Sequence, residues 1–83
     1  MEWPEWWSWE QDLSPHLLER MVDRHFNELD LQLMLDKAIG YHEDHEGGRW
    51  AIETKWNGKD WLVIVEPVED ERVLVVVTAY PVD

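Results

Sequence analysis

The clearest hydrophobic pattern lies in the C-terminal half, where apolar and polar residues alternate on both sides of Asn57-Gly58. Asn-Gly between two such runs marks a β-hairpin, because a type I′ turn needs two residues with positive φ. A two-residue turn places Lys55 opposite Asp60 and Arg49 opposite Glu66, both pairs of opposite charge. A four-residue loop loses both pairs, so we favour the two-residue turn.

The alternation divides the side chains of the hairpin between two faces. The face that we expect beneath the helices collects Trp50, Ile52, Thr54, Trp56, Trp61, Val63 and Val65. The run RVLVVVTAY predicts a last strand. If Val65 pairs with Val73, the covered face of that strand takes Val73, Val75, Val77 and Ala79, and the open face takes Leu74, Val76, Thr78 and Tyr80. A shift of one residue would reverse this assignment.

Two helices are predicted before the hairpin. Ser14 is a preferred N-cap residue and Pro15 suits the first helical position. Leucine, methionine and valine side chains form one arc of this helix, and His16, Arg20 and Arg24 form a stripe on the other side. We expect this helix to end at Arg24 and a second helix to run from a cap at Asn27 to Gly40.

The order of elements predicts one α+β domain over residues 1–83, with residues 1–5 as a tail. Its two N-terminal helices pack on one face of a three-stranded antiparallel meander. The segment 6–13 alternates in part, so it is either a fourth, N-terminal strand or an irregular flap of tryptophans over the core edge. Residues 41–48 are predicted to form a polar loop.

Composition narrows the possible functions. Nineteen acidic residues against seven basic ones give a net charge of -12, which argues against a general nucleic-acid coat protein. There are no cysteines, so disulfides and thiolate chemistry are excluded. The acidic N-terminus does not have the pattern of a signal peptide, and no apolar run is long enough to span a membrane. We therefore expect a cytoplasmic protein.

Several features together resemble a family of small prokaryotic RelE-like domains, distantly related to the barnase–EndoU–colicin–RelE group of ribonuclease toxins. They are the run SPHLLERMVDRHFNELDLQLML, the R-M-x-x-R spacing that begins at Arg20, the tryptophan-rich hairpin and the final T-x-Y of Thr78 and Tyr80. The resemblance covers about residues 13 to 80. His25 departs from it, because such sequences usually have glycine at that position.

The resemblance implies a metal-independent endoribonuclease, without cofactor, in which a 2′-hydroxyl attacks the adjacent phosphate. It gives His16 the role of acid or base and lets Arg20 or Arg24 bind phosphate. Thr78 and Tyr80 would orient the scissile group. RNA and an antitoxin-like protein are the partners that it implies. The pattern of the open sheet face, and not the resemblance, adds Arg49, Glu53 and Lys55 as candidates.

The same residues also allow other interpretations than a ribonuclease site. Ion pairs within the helix explain Arg20 and Arg24 without a ligand. The sequence His42 to Glu46 has side chains that bind metals, but its loop spacing is undemanding and we predict no native metal site. Partner-facing tryptophans are expected at the N-terminus: Trp3, Trp6, Trp7 and Trp9. The alternative function is therefore a non-catalytic interaction module, either a monomer or a homodimer through these rings.

Overall fold

The structure, a computed structural model, describes residues 2–82. A short 3₁₀-helix over Glu5–Ser8 precedes strand β1, Glu10–Leu13. Helices α1 and α2 follow over Pro15–Asp23 and Glu28–Asp36. The remaining strands are β2 (Gly40–Glu43), β3 (Trp50–Trp56), β4 (Lys59–Val68) and β5 (Val73–Pro81). Within the described residues both helices precede the hairpin, so the α+β class is confirmed.

The predicted three-stranded antiparallel meander is wrong. The structure has a five-stranded mixed sheet in the order β1-β5-β4-β3-β2. Strand β1 pairs with β5 in parallel, and β2 pairs antiparallel with β3. One alternative for residues 6–13, a fourth, N-terminal strand, is confirmed by β1, whereas β2 lies where a polar loop was expected. Their short, polar segments reach the sheet through backbone hydrogen bonds, which leave little trace in the pattern of side chains.

The hairpin follows its predicted two-residue register. Asn57 and Gly58 have φ values of 53° and 78°, as a type I′ turn requires. Lys55 lies opposite Asp60 with 3.5 Å between their charged groups. Arg49, just before β3, donates from Nε to Glu66 across 3.1 Å. The local turn geometry and these charges were sufficient to set the register.

The register of β5 differs from the expected one. Val65 pairs with Val76 instead of Val73, and a β-bulge interrupts the β4–β5 pairing between Ile64 and Val65. As a result Leu74 and Val76 lie on the helix-covered face, together with Ala79 beyond the bulge. A bulge adds one unpaired residue and changes which side chains face inward, and a uniformly apolar strand carries no signal for its position.

The caps of both helices match the sequence. Ser14 accepts from the backbone N–H of Leu17, and Asn27 forms a reciprocal capping box with Asp30. His25 leaves the helical conformation with φ 58°, in the left-handed region. The second helix ends at Asp36, before the predicted Gly40, because Lys37 is its C-cap and Ile39 already donates its N–H to the Glu53 carbonyl of β3.

The core lies between the two helices and one face of the sheet. Leu17 of α1 packs against β5, and Leu31, Met34 and Leu35 of α2 pack toward β3. The sheet contributes Ile52, Trp61, Val63, Val65, Leu74, Val76 and Ala79. Thr54, also on this face, donates a hydrogen bond to the backbone carbonyl of Met34. Residues 2–82 include no helix with the length and hydropathy of a membrane span.

Candidate functional site at the edge of β5

Helix α1 lies against the part of β5 that has no neighbouring strand on one side. Strand β1 pairs with β5 only from Val73 to Val76. Beyond this point α1 supplies the hydrogen bonds to the edge. The Ser14 hydroxyl donates to the Val77 carbonyl over 2.8 Å, and the Arg24 guanidinium donates to the Ala79 carbonyl over 2.9 Å. The two ends of α1 are thus attached to neighbouring positions of β5.

The predicted stripe of His16, Arg20 and Arg24 runs along this helix, with one turn between successive members. His16 is exposed at the N-terminal end. Arg20 is half-buried, and it pairs with Asp23 at 3.0 Å and with Glu19 at 4.0 Å. The ion pairs predicted as an alternative to ligand binding are therefore formed by Arg20, but Arg24 bonds to backbone instead.

Thr78 and Tyr80 lie on the same stretch of β5 but point to the opposite face from the helices. Thr78 pairs with Ile64 and Tyr80 pairs with Leu62, which alternate with the core residues of β4. Among the described residues, neither side chain is hydrogen-bonded to the α1 stripe. The structure therefore places the α1 stripe and the pair Thr78 and Tyr80 at the same sheet edge, but without a hydrogen bond between their side chains.

A depression of about 280 Å³ opens next to Arg24. Its lining comes from the C-terminal end of α1, the β3–β4 turn and the end of β5: Arg24, Trp56, Asn57, Lys59, Trp61 and Pro81. The alternation of the hairpin predicts core positions for Trp56 and Trp61, and no sequence motif marks Lys59. Only the docking of α1 at the strand edge brings Arg24 to the hairpin turn.

Two buried side-chain donors close to Arg24 have no hydrogen-bond partner among residues 2–82. They are Nε of Arg20, one helical turn away, and Nε1 of Trp61, a ring that lines the depression. A buried donor without a partner costs about 1–3 kcal/mol. Trp61 lines the depression and Arg20 does not, so an acceptor-rich ligand such as a phosphate group in the depression would lie beside Trp61. We call Arg20, Arg24, Trp56, Lys59 and Trp61 the edge site.

The candidates on the open face are held in local pairs. Glu53 lies 2.8 Å from Nδ1 of His42, while Lys55 and Arg49 pair with Asp60 and Glu66. The His42–Glu53 contact depends on β2, and the sequence predicts a loop for these residues. Within the described residues, no group of three histidine or carboxylate side chains is placed to hold a metal ion.

The N-terminal tryptophans contact rings of their own chain. Trp3 stacks on Trp7 with 4.2 Å between ring centroids, and Trp6 lies 5.9 Å from Trp50 and 6.0 Å from Tyr41. The guanidinium of Arg72 lies 6.0 Å from the ring of Trp9. All four tryptophans are partly buried. A partner-binding role for them stays a prediction.

Comparison with known proteins returned no matching family model, curated protein or solved structure. The resemblance to RelE-like domains therefore stays a prediction based on the sequence motifs, and the functional argument depends on the site itself.

Proposed function

We propose that the protein is a RelE-like, metal-independent endoribonuclease that holds the RNA backbone along α1. The observation that carries this proposal is the edge site, where two arginines lie on successive turns and where, among residues 2–82, Nε of Arg20 and Nε1 of Trp61 are buried without a partner. Three of the seven basic residues of a strongly acidic chain belong to this one site. RNA phosphates need such a concentration of cations and N–H donors.

The proposed reaction assigns a separate role to each member of the stripe. His16 takes the proton from the 2′-hydroxyl as the new bond from the 2′-oxygen to phosphorus forms. Arg20, one turn further along α1, exchanges its solvent-exposed pairs with Glu19 and Asp23 for the phosphate that becomes crowded with negative charge, because such exposed pairs are weak. The bond from phosphorus to the 5′-oxygen breaks, and that oxygen takes a proton from water. The products are a 2′,3′-cyclic phosphate and a 5′-hydroxyl.

Thr78 and Tyr80 keep the orienting role that the resemblance implies. An RNA strand bound to α1 would reach them by crossing the edge of β5 onto the open face. At this edge the Ser14 and Arg24 side chains donate to carbonyls of β5. The orienting role thus requires a single-stranded substrate, since an RNA duplex is too stiff to bend around one strand.

The test is cleavage of a labelled single-stranded RNA in buffer with a metal chelator. We expect products that end in a 2′,3′-cyclic phosphate. The variants His16→Ala and Arg20→Gln should each slow cleavage at least about tenfold, because each removes a group that acts in the transition state. Circular dichroism of the variants should show an unchanged fold.

Two matched substitutions serve as controls. His45→Ala removes a histidine with a 93% exposed side chain, and Lys37→Gln removes a positive charge beyond the end of α2. Both should cleave at the wild-type rate. The proposal is wrong if the purified wild-type protein leaves RNA intact over a range of enzyme concentration and pH, or if His16→Ala and Arg20→Gln cleave like the controls.

A second candidate, a non-catalytic module that self-associates, is favoured by apolar side chains on the outer sides of the helices. Leu18 and Val22 of α1 are 50% and 75% exposed, and Leu29 and Leu33 of α2 are 76% and 48% exposed. The members of each pair are one helical turn apart, so each pair forms an apolar surface. Such surfaces commonly mark contacts between proteins.

For this candidate we expect a concentration-dependent dimer in light scattering that the double variant Val22→Ser, Leu29→Ser converts to a monomer. The variant removes the two most exposed of these side chains and should leave the core unchanged. The double variant Glu19→Ser, Glu28→Ser alters polar positions of the same two helices and is the control. A wild-type monomer at every concentration contradicts the second candidate.

A further inference from the structure

We infer that the depression beside Arg24 is a subsite for one nucleoside phosphate, in which Arg24 and Lys59 bind the phosphate and Trp56 stacks on the base. The inference rests on the proposed function and adds to it the position of the nucleotide next to the scissile phosphate. Its evidence is a combination of two cations, two indole rings and an unpartnered buried donor around one depression.

The cations of this depression are available for a ligand. Arg20, Arg49 and Lys55 have carboxylate partners within 4 Å. Arg24, Lys59, Lys37 and Arg72 have none among the described residues, and of these four only Arg24 and Lys59 line the depression. Two unneutralised cations at one depression favour an anion there, and a phosphate accepts hydrogen bonds from both.

The guanidinium of Arg24 is already positioned before a ligand arrives. Its bond to the Ala79 carbonyl uses one N–H of Nη1. A guanidinium has five N–H donors, so the rest of the group can serve a phosphate. Because the side chain is already held in place, it loses less conformational entropy on binding than a mobile surface arginine would lose.

The rings supply the second half of the recognition. Trp56 is half-buried and lines the depression, while Trp61 meets it edge-on with 5.6 Å between centroids. Phe26 contacts Trp61 from the core side at 5.5 Å. Trp56 is therefore held in place by its contact with Trp61 and keeps part of its ring exposed. A nucleobase can stack only on an exposed aromatic face.

The unpartnered donor points to a ligand with acceptors. Trp61 is only 5% exposed, and its Nε1 has no hydrogen-bond partner in the described part of the chain. Buried indole N–H groups usually have a partner. A sugar or phosphate oxygen in the depression could accept this hydrogen bond. The volume of about 280 Å³ is near the lower end for small-molecule sites and suits one nucleotide.

The experiment titrates the full-length protein with 3′-AMP and follows the indole N–H signals by NMR. We expect saturable shifts of the Trp56 and Trp61 signals, and weaker binding for adenosine or inorganic phosphate alone. Lys59→Gln should weaken 3′-AMP binding about tenfold, because one charge-assisted contact is lost. Lys37→Gln removes a lysine outside the depression and should bind as the wild type does.

Trp61→Phe tests the donor separately, since it keeps a ring in the core and removes only Nε1–H as a hydrogen-bond donor. It should weaken 3′-AMP binding without moving the NMR signals of the helices. A short single-stranded RNA ending in a 3′-phosphate should compete with 3′-AMP, and the Lys59→Gln variant should weaken both alike. Free nucleotide and RNA end then share one subsite.

Absence of saturable shifts in Trp56 and Trp61 overturns the inference, as does equal 3′-AMP affinity in Lys59→Gln and Lys37→Gln. The RNA-cleavage assay separates this failure from failure of the proposed function. If the wild-type protein cleaves RNA and Lys59→Gln cleaves equally well, the subsite is wrong and the nuclease stands. If 3′-AMP binds as expected and RNA stays intact, the nucleotide subsite is supported and the proposed nuclease activity is contradicted.

Discussion

Replacing Leu17 by alanine should lower the free energy of unfolding by about 3 kcal/mol. Leu17 is fully buried and is the one buried residue of α1, the helix that contacts β5. Its truncation loses the transfer free energy of the side chain and leaves a cavity that a small core cannot refill. In a domain of this size such a loss lowers the melting temperature by roughly 12–24 °C.

Leu18→Ala is the matched control for this change, because Leu18 is the next residue of the same helix and is 50% exposed. It removes the same atoms and should cost less than about 0.5 kcal/mol. Chemical denaturation of both variants measures the difference. Similar losses for the two variants would contradict the position of α1 against β5, and with it the geometry of the edge site.

Replacing Trp6 by alanine should lower the free energy of unfolding by about 2 kcal/mol, less than for a fully buried tryptophan. Trp6 lies between Trp7, Trp50 and Tyr41, with ring centroids 5.9–6.3 Å away. These contacts join the N-terminal segment to β2 and β3. Removing the ring should therefore loosen the far end of the sheet as well as the segment itself.

Trp6→Phe is the conservative variant, and it should recover more than half of the lost stability because aromatic packing with Trp50 remains. Light scattering of Trp6→Ala at matched concentration separates the two roles of the ring. An unchanged melting curve together with a lost dimer would mean that Trp6 contacts a partner chain and contributes nothing to its own fold.

The two stability predictions bear on function through α1. The two arginines of the edge site are not on a strand of the sheet, since Arg20 and Arg24 are positioned by the docking of one short helix. A helix of this length has little stability alone, so the burial of Leu17 largely determines where the stripe lies. Variants that loosen α1 should consequently lose RNA cleavage before the whole domain unfolds.

Short-range features of the sequence determined the hairpin and the helix caps. Asn57 and Gly58 specify their turn because few residues accept positive φ, and opposite charges then fix the register. Ser14 and Asn27 specify helix starts because their side chains satisfy backbone N–H groups nearby. In these cases the cause and the effect lie within a few residues of each other.

The tertiary structure alone decided how the outer strands pair, where β5 has its bulge and which residues make up the edge site. Glu10 of β1 pairs with Val73 of β5, sixty-three positions further along the chain, and no local sequence feature indicates this pairing. The run from Val73 to Val77 is apolar throughout, so its pattern is compatible with either register. Arg24, Lys59 and Trp61 meet only because α1 packs along a strand edge, and that arrangement results from the burial of the whole core.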